Sequence, residues 1–194
     1  WQQRICVSPN AEFFKSIQSR KASVVTGEID QFTESGIQLT DGQHLEADIV
    51  VAATGVQLQP LGNIKLSIDN IDIDLSQTIS YRGMMLSNVP NLAYIQGYFA
   101  NSWMLRSDMT IKYLCRKVFK RLQKRRYCLP LLDKNIDRTH HLSEWNNTSN
   151  YWARAKSKFY QFGTKQPWAD TQDYYKDWIL FNLEHYFDRT LKFV

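Results

Sequence analysis

The chain has 194 residues, of which 43% are apolar, 22% charged and 13% aromatic, with only 5 prolines; this composition suits a folded globular protein and excludes the disordered and collagen-like classes. The formal net charge is +5, and no run approaches the roughly 18 consecutive apolar residues of a membrane span. Three scattered cysteines, Cys6, Cys115 and Cys128, with no C-x-x-C pair, argue against a disulfide framework or a thiolate zinc site and for a reducing, cytoplasmic setting.

Pro9-Asn10 opens a short predicted helix over residues 11–20, with Phe13, Phe14 and Ile17 on one face. Residues 23–26, 29–32 and 36–40 read as a strand leading into an antiparallel meander, broken at Ser35-Gly36 and Asp41-Gly42, which favour tight hairpin turns. The run Ala47–Ala53 is apolar on both alternating faces after Asp48, as expected of a strand buried between two layers of a mainly parallel sheet. It stops at Thr54-Gly55. Residues 60–90 are punctuated by Pro60, Gly62, Asp69-Asn70, Gly83 and Pro90 and read as loops with short strands. Leu92–Ile95 is a second expected buried strand, ended by Gly97.

From about Ser102 to Tyr127 the pattern predicts one long helix, with Met104, Ile111, Cys115, Val118 and Leu122 as its apolar face. Nine of the 24 basic residues fall between Arg106 and Arg126, against one of the 19 acids, so this segment alone makes the protein basic. A solvated face with cations near a helix C-terminus is the favoured account; weak contact with an anionic membrane surface, a partner or nucleic acid is the alternative. Beyond Pro130 the chain turns polar and aromatic, with a helix expected from about Asp170 to Phe187, Asp170 as its cap and Asp173 in its first turn. Aromatic richness of this kind more often marks an extension packed on a neighbouring domain than a ligand box.

The 8 glycines never stand two apart, so the chain has neither G-x-G-x-x-G nor a P-loop. His140 and His141 are adjacent and point apart on any regular element, which makes them poor joint metal ligands. No H-E-x-x-H or G-x-S-x-G occurs. Hydrolase and metalloenzyme readings are therefore weak, and no metal site is expected.

Several stretches taken in order carry a resemblance: Trp1-Gln2-Gln3-Arg4-Ile5-Cys6, Gly36–Gly42, Ala47–Gly55, Tyr81–Met85, Val89–Ala93 and Gly97–Arg106, with Tyr151–Arg154, Gln161–Gly163 and Pro167-Trp168 in the tail. Together the set resembles the C-terminal part of flavin-containing monooxygenases of the Baeyer–Villiger type, closest to the ethionamide-activating branch. The resemblance implies an α/β fold, a partial two-dinucleotide-binding flavoprotein with Rossmann-like FAD and NADPH domains, a β-meander, a long C-terminal helix and a helical tail. Residues 1–55 would end the NADPH-binding domain, 56–128 would form the C-terminal half of the FAD-binding domain, and 129–194 would be an aromatic-rich tail on the core. The chain is then expected to be a piece of a longer enzyme, inactive alone, with FAD and NADPH as cofactors and with O2 and a small ketone, sulfide or thioamide as substrates.

The resemblance also implies site residues. In such enzymes NADPH reduces FAD, dioxygen is activated at the flavin C4a, and a fixed cation beside the developing charge lowers the barrier. Arg4 matches the family's active-site arginine. Thr54 and Gly55 stand at a strand end near NADPH, where open α/β sheets bind ligands. Gly97, Asn101, Ser102, Trp103 and Met104 would meet the flavin at a helix N-terminus, whose unpaired N–H groups suit the partly negative edge of a reduced flavin. Trp103 and Trp145 would face substrate. Phe99 and Ala100 depart from the small polar pair expected in this branch, which leaves substrate choice open.

Two other readings remain at this point. One is an N- or S-oxygenating monooxygenase of the same fold without ketone activity. The other is a non-enzymatic module that uses Lys117, Lys120, Arg121 and Lys124 on a polyanion; no nucleic-acid motif supports it, and nucleic acid is not an expected partner. Self-association through exposed strand edges is a further expectation for an isolated piece.

Overall fold

The structure is a computed structural model, and it describes residues 8–98, 101–132, 136–139, 150–183 and 189–194. The chain divides into two compact units, the first ending at Val56 and the second formed by Gln57–Val194.

In the first unit a 3-10 turn at Pro9–Ala11 leads into helix α1 (Glu12–Gln18), on which Phe13 and Phe14 are both exposed and meet edge to face. Strands β1 (Ile29–Thr33), β2 (Gly36–Leu39) and β3 (His44–Glu46) form the antiparallel meander that the turn residues predicted. Its tightness depends on Gly36, because any Cβ there would run into the Leu45 carbonyl of β3. At the second turn Asp41 Oδ1 accepts a hydrogen bond from Gln43 N at 2.9 Å while Gly42 takes φ +90°, a conformation that costs glycine little. Residues 23–26 form no strand.

The run Ala47–Ala53 departs from expectation. It makes no ladder, and Ile49 and Val51 are 83% and 82% exposed. Apolar content on both faces marks a segment suited to burial, but a ladder also needs neighbouring strands, and the described residues of this unit supply none.

The second unit is built from short hairpins and helices. A 3-10 turn at Pro60–Asn63 precedes β4 (Ser67–Ile68) and β5 (Ile71–Asp72), and another at Leu75–Gln77 precedes β6 (Ser80–Tyr81) and β7 (Met85–Leu86). Leu92, Ala93 and Tyr94 are half-buried and Ile95 is exposed, and the segment forms no strand; the Tyr94 amide donates to the Met84 carbonyl at 2.8 Å.

The long predicted helix is present in three continuous pieces: α2 (Trp103–Tyr113), a π-helical turn (Leu114–Phe119) and α3 (Lys120–Leu122). Its buried face matches the expected one at Val118 and Leu122, which join or pack on the core, and differs toward the N-terminal part. Arg106, Met109, Thr110, Tyr113, Leu114 and Val118 point inward, while Met104 and Ile111 are exposed hydrophobics and Cys115 is exposed. Arg106 and Thr110 carry polar atoms, so an apolar pattern passes over them and settles one residue away.

The tail closes on this helix. β8 (Cys128–Pro130) pairs with β11 (Leu191–Phe193), and β9 (Arg138–Thr139) pairs with β10 (Phe162–Gly163). Helix α4 (Asn150–Ala155) leads through a 3-10 turn to the buried Tyr160 and Phe162. Helix α5 (Tyr174–Asn182) packs on α2, with Tyr113 and Phe181 in edge-to-face contact at 5.4 Å. Asp173, not Asp170, caps α5, its Oδ1 accepting from Tyr175 N and Lys176 N at 2.9 and 3.0 Å. The main core joins Ile79, Tyr81, Met84 and Met85 of the hairpin region to Tyr113, Leu114 and Val118 of the long helix and Trp168, Phe181 and Leu191 of the tail.

Candidate functional site at the start of α2

The sequence-predicted residues fall into three groups. Arg4 and Trp145 lie outside the described residues, as do Phe99 and Ala100. Thr54 and Gly55 are exposed at the end of the first unit, with Gly55 at φ +99° and open space where a Cβ would stand. Gly97, Asn101, Ser102, Trp103 and Met104 belong to the second unit, and of these the structure brings Gly97 and Trp103 into contact.

Gly97 is buried, and a Cβ on it would stand 2.5 Å from Trp103 Cγ and Cδ2 and 2.6 Å from Trp103 Cα. The absence of a side chain is what lets the indole lie on the backbone. Trp103 is nonetheless 54% exposed, so one side of the ring is seated and the other is free. Ser102 holds the N-cap position in extended conformation, but its hydroxyl makes no cap hydrogen bond. The first N–H groups of α2 have no acceptor within the helix by construction, and Asn101, Ser102 and Met104 around them are exposed. The helix start thus exposes the Trp103 indole and lacks a side-chain cap, with the Leu105 N–H turned back to the Ser102 carbonyl at 3.3 Å.

Tyr98 and Arg106 flank this stretch, and both are buried. Tyr98 donates its hydroxyl to Asp177 Oδ2 at 2.8 Å. Arg106 Nη2 lies 2.7 Å from Asp170 Oδ1 and Arg106 Nε lies 3.3 Å from Asp177 Oδ2. Thr171 donates to the other oxygen of Asp177, and the guanidinium sits 5.5 Å from the Tyr98 ring centroid. Arg106 Nε, Arg106 Nη1 and Asp170 Oδ1 make no hydrogen bond of good geometry, so the attraction here is chiefly between charges. Burial works against the Arg106 charge, but Asp170 and Asp177 outweigh it and hold the guanidinium above its ordinary value. Burial also raises the Asp177 carboxyl and, with the Asp177 charge beside it, the Tyr98 phenol.

Sequence reasoning placed Arg106 in a solvated basic run and Asp170 at a helix cap. The available signal was the fourfold spacing of Arg106, Thr110, Leu114 and Val118, which puts the arginine on the face of two core residues. The remaining basic residues of the run do behave as a surface: Lys120, Arg121, Lys124, Arg125 and Arg126 are exposed. Among the described residues no three metal-ligating side chains converge, and no helix is long and apolar enough to cross a membrane.

No protein-family model matches the chain, and no solved structure does. Curated proteins do. The chain is 42% identical over 183 residues, 91% of its length, to a protein of Acinetobacter baylyi described as "Probable FAD-binding monooxygenase AlmA", of which it covers 36%. It is 34% identical over its whole length to "FAD-containing monooxygenase EthA" of Mycolicibacterium smegmatis and 33% identical to the EthA of Mycobacterium tuberculosis, covering 39% of each. It thus spans little more than a third of the relatives it matches. Over that span, the chain is similar in sequence to the FAD-binding and FAD-containing monooxygenases.

Proposed function

We propose that this chain is the C-terminal part of an NADPH- and FAD-dependent monooxygenase of the Baeyer–Villiger type, which inserts one atom of O2 into ketones or oxygenates sulfides and thioamides. The observation that carries the reading is the start of α2. Within a chain similar to FAD-containing monooxygenases, it offers a half-exposed Trp103 seated on Gly97 and a first turn with no side-chain cap.

These residues fit a flavin. Gly97 lets the Trp103 indole lie on the backbone, the half-exposed ring offers a stacking plane, and the N–H groups of the first turn suit a partly negative carbonyl edge. Bound FAD supplies the redox chemistry, taking hydride from NADPH and activating dioxygen. The chain's own residues bind and orient: Asn101, Ser102 and Met104 line the turn, and Trp103 and Trp145 shape the substrate side. Arg4 supplies a permanent positive charge beside the reacting oxygen. Thr54 and Gly55, where φ +99° calls for glycine, let the backbone approach NADPH. In this reading residues 1–55 end the NADPH-binding domain, 56–128 belong to the FAD-binding domain and 129–194 form the tail, and the intact enzyme is cytoplasmic.

The test is Trp103→Ala and Arg4→Ala in the full-length enzyme, with a methyl aryl sulfide and a cyclic ketone as probes. Trp103→Ala is expected to lower bound FAD; Arg4→Ala is expected to keep NADPH-driven flavin reduction and lose product formation. Unchanged FAD content in the first variant, or normal oxygenation in the second, removes that residue from the site.

A further inference from the structure

Three side chains of the second unit converge on one carboxylate. Asp177 is 1% exposed; it accepts from Tyr98 and Thr171 and faces Arg106, which continues to Asp170. Tyr98 and Arg106 stand on either side of the stretch that carries Asn101–Met104. One buried group therefore holds both ends of that stretch, and it does so from a helix of the tail.

We infer that Asp177 is a positioning residue for the flavin-facing turn: by binding Tyr98 and facing Arg106 at once, it sets the separation and tilt from which Trp103 and the first N–H groups of α2 are presented. The inference rests on the flavin placement proposed above and goes further, giving the tail a share in the cofactor site.

Apolar contacts would join the tail to α2 at lower cost, since buried ion pairs seldom stabilise more than well-packed hydrophobic residues of similar volume. The Asp177 carboxylate, in contrast, accepts from Tyr98 and Thr171 along defined directions and so fixes their geometry, while it holds Arg106 by charge at 3.3 Å. Its own position is fixed in turn. Asp173 caps α5 one turn earlier through two backbone N–H groups, and Thr171 holds the second oxygen. The guanidinium has no slack on its far side, because it lies against Gly83, where a Cβ would stand 2.5 Å from Nη2. Cap, carboxylate and guanidinium form one run of close contacts that reaches α2 at Arg106 and is backed by Gly83 of the β6–β7 hairpin.

The test uses the full-length, FAD-loaded enzyme carrying Asp177→Asn or Tyr98→Phe. Ser87→Ala serves as the control, because its buried hydroxyl accepts from Ile79 N at 2.9 Å in the β6–β7 hairpin and its loss is purely structural. FAD affinity is read by flavin fluorescence, the flavin environment by its visible absorption band, and stability by the thermal midpoint. Asp177→Asn and Tyr98→Phe are each expected to weaken FAD binding by about fivefold or more and to move the absorption band, whereas Ser87→Ala lowers the midpoint and does neither. If both variants match the wild type in affinity and band, or only track Ser87→Ala, the inference is overturned. Should Asp177→Asn not fold, Tyr98→Phe, which removes a single hydroxyl, decides alone. Trp103→Phe separates the two levels: if it leaves affinity and band untouched, the flavin placement itself fails. If it changes them while Asp177→Asn and Tyr98→Phe do not, only the positioning role fails.

Discussion

Arg106 and Asp170 lie 2.7 Å apart, with each side chain only 2% exposed. Ionised groups this far from water are stable only while they compensate one another.

Arg106→Leu is accordingly expected to destabilise the protein by about 3–5 kcal/mol, because it leaves Asp170 and Asp177 buried without a cation. Replacing all three residues by apolar ones of similar volume should recover most of that loss. Urea unfolding of the two variants checks both statements; a cost for Arg106→Leu within the range of an exposed ion pair, under about 1 kcal/mol, contradicts the buried pairing.

Gly97→Ala tests the seat of the indole. The new methyl would stand 2.6 Å from Trp103 Cα, and a backbone atom cannot swing aside as a flexible side-chain tip can. A loss of about 1–3 kcal/mol is expected from overpacking, together with a red shift of tryptophan emission as the ring is displaced toward solvent. Unaltered emission and stability would mean that the two residues do not touch.

The third expectation concerns alkaline pH. Burial pushes the Tyr160 phenol from 10.0 up to about 12, and its hydroxyl donates to Gln96 Oε1 at 2.7 Å. Between these two values the unfolded chain has released the proton and the folded chain keeps it. The folded state thus binds more protons, and stability falls as pH rises through that window, having been fully present below it. Tyr160→Phe should flatten this part of the stability profile, while costing about 1–2 kcal/mol at neutral pH because Gln96 loses its donor. Thermal midpoints measured from pH 7 upward on both proteins distinguish the two effects; parallel curves would refute the assignment.

What the sequence made legible follows from which forces act locally. The meander at 29–46 was readable because Gly36 and Gly42 are required by backbone geometry within a few residues of each strand. The long helix was readable from its periodicity. Its inward face was not, because Arg106 and Thr110 are buried through partners far along the chain that no local pattern reveals. Ala47–Ala53 failed for the converse reason: an apolar run states what a segment needs, and the described first unit does not meet that need. At the candidate site the resemblance singled out Gly97, Ser102 and Trp103, of which Gly97 and Trp103 meet in the fold. The clasp made by Tyr98, Arg106, Asp170 and Asp177 needed the fold, since its acids come from the tail.

The wide turn at Leu114–Phe119 makes residue count and facing interdependent in this helix. It holds one residue more per hydrogen-bonded ring than the α-helical turns around it, so α3 and the cationic stretch beyond it are rotated by about 100° relative to a regular continuation. Arg121 meets the Phe193 ring at 4.2 Å in this setting. Excising a single residue between 114 and 119 would turn the wide turn into a regular α-helical one and leave Arg121 facing that ring, so the Arg121-dependent part of the unfolding midpoint is expected to survive the excision and to be lost when a residue is removed from α2 instead.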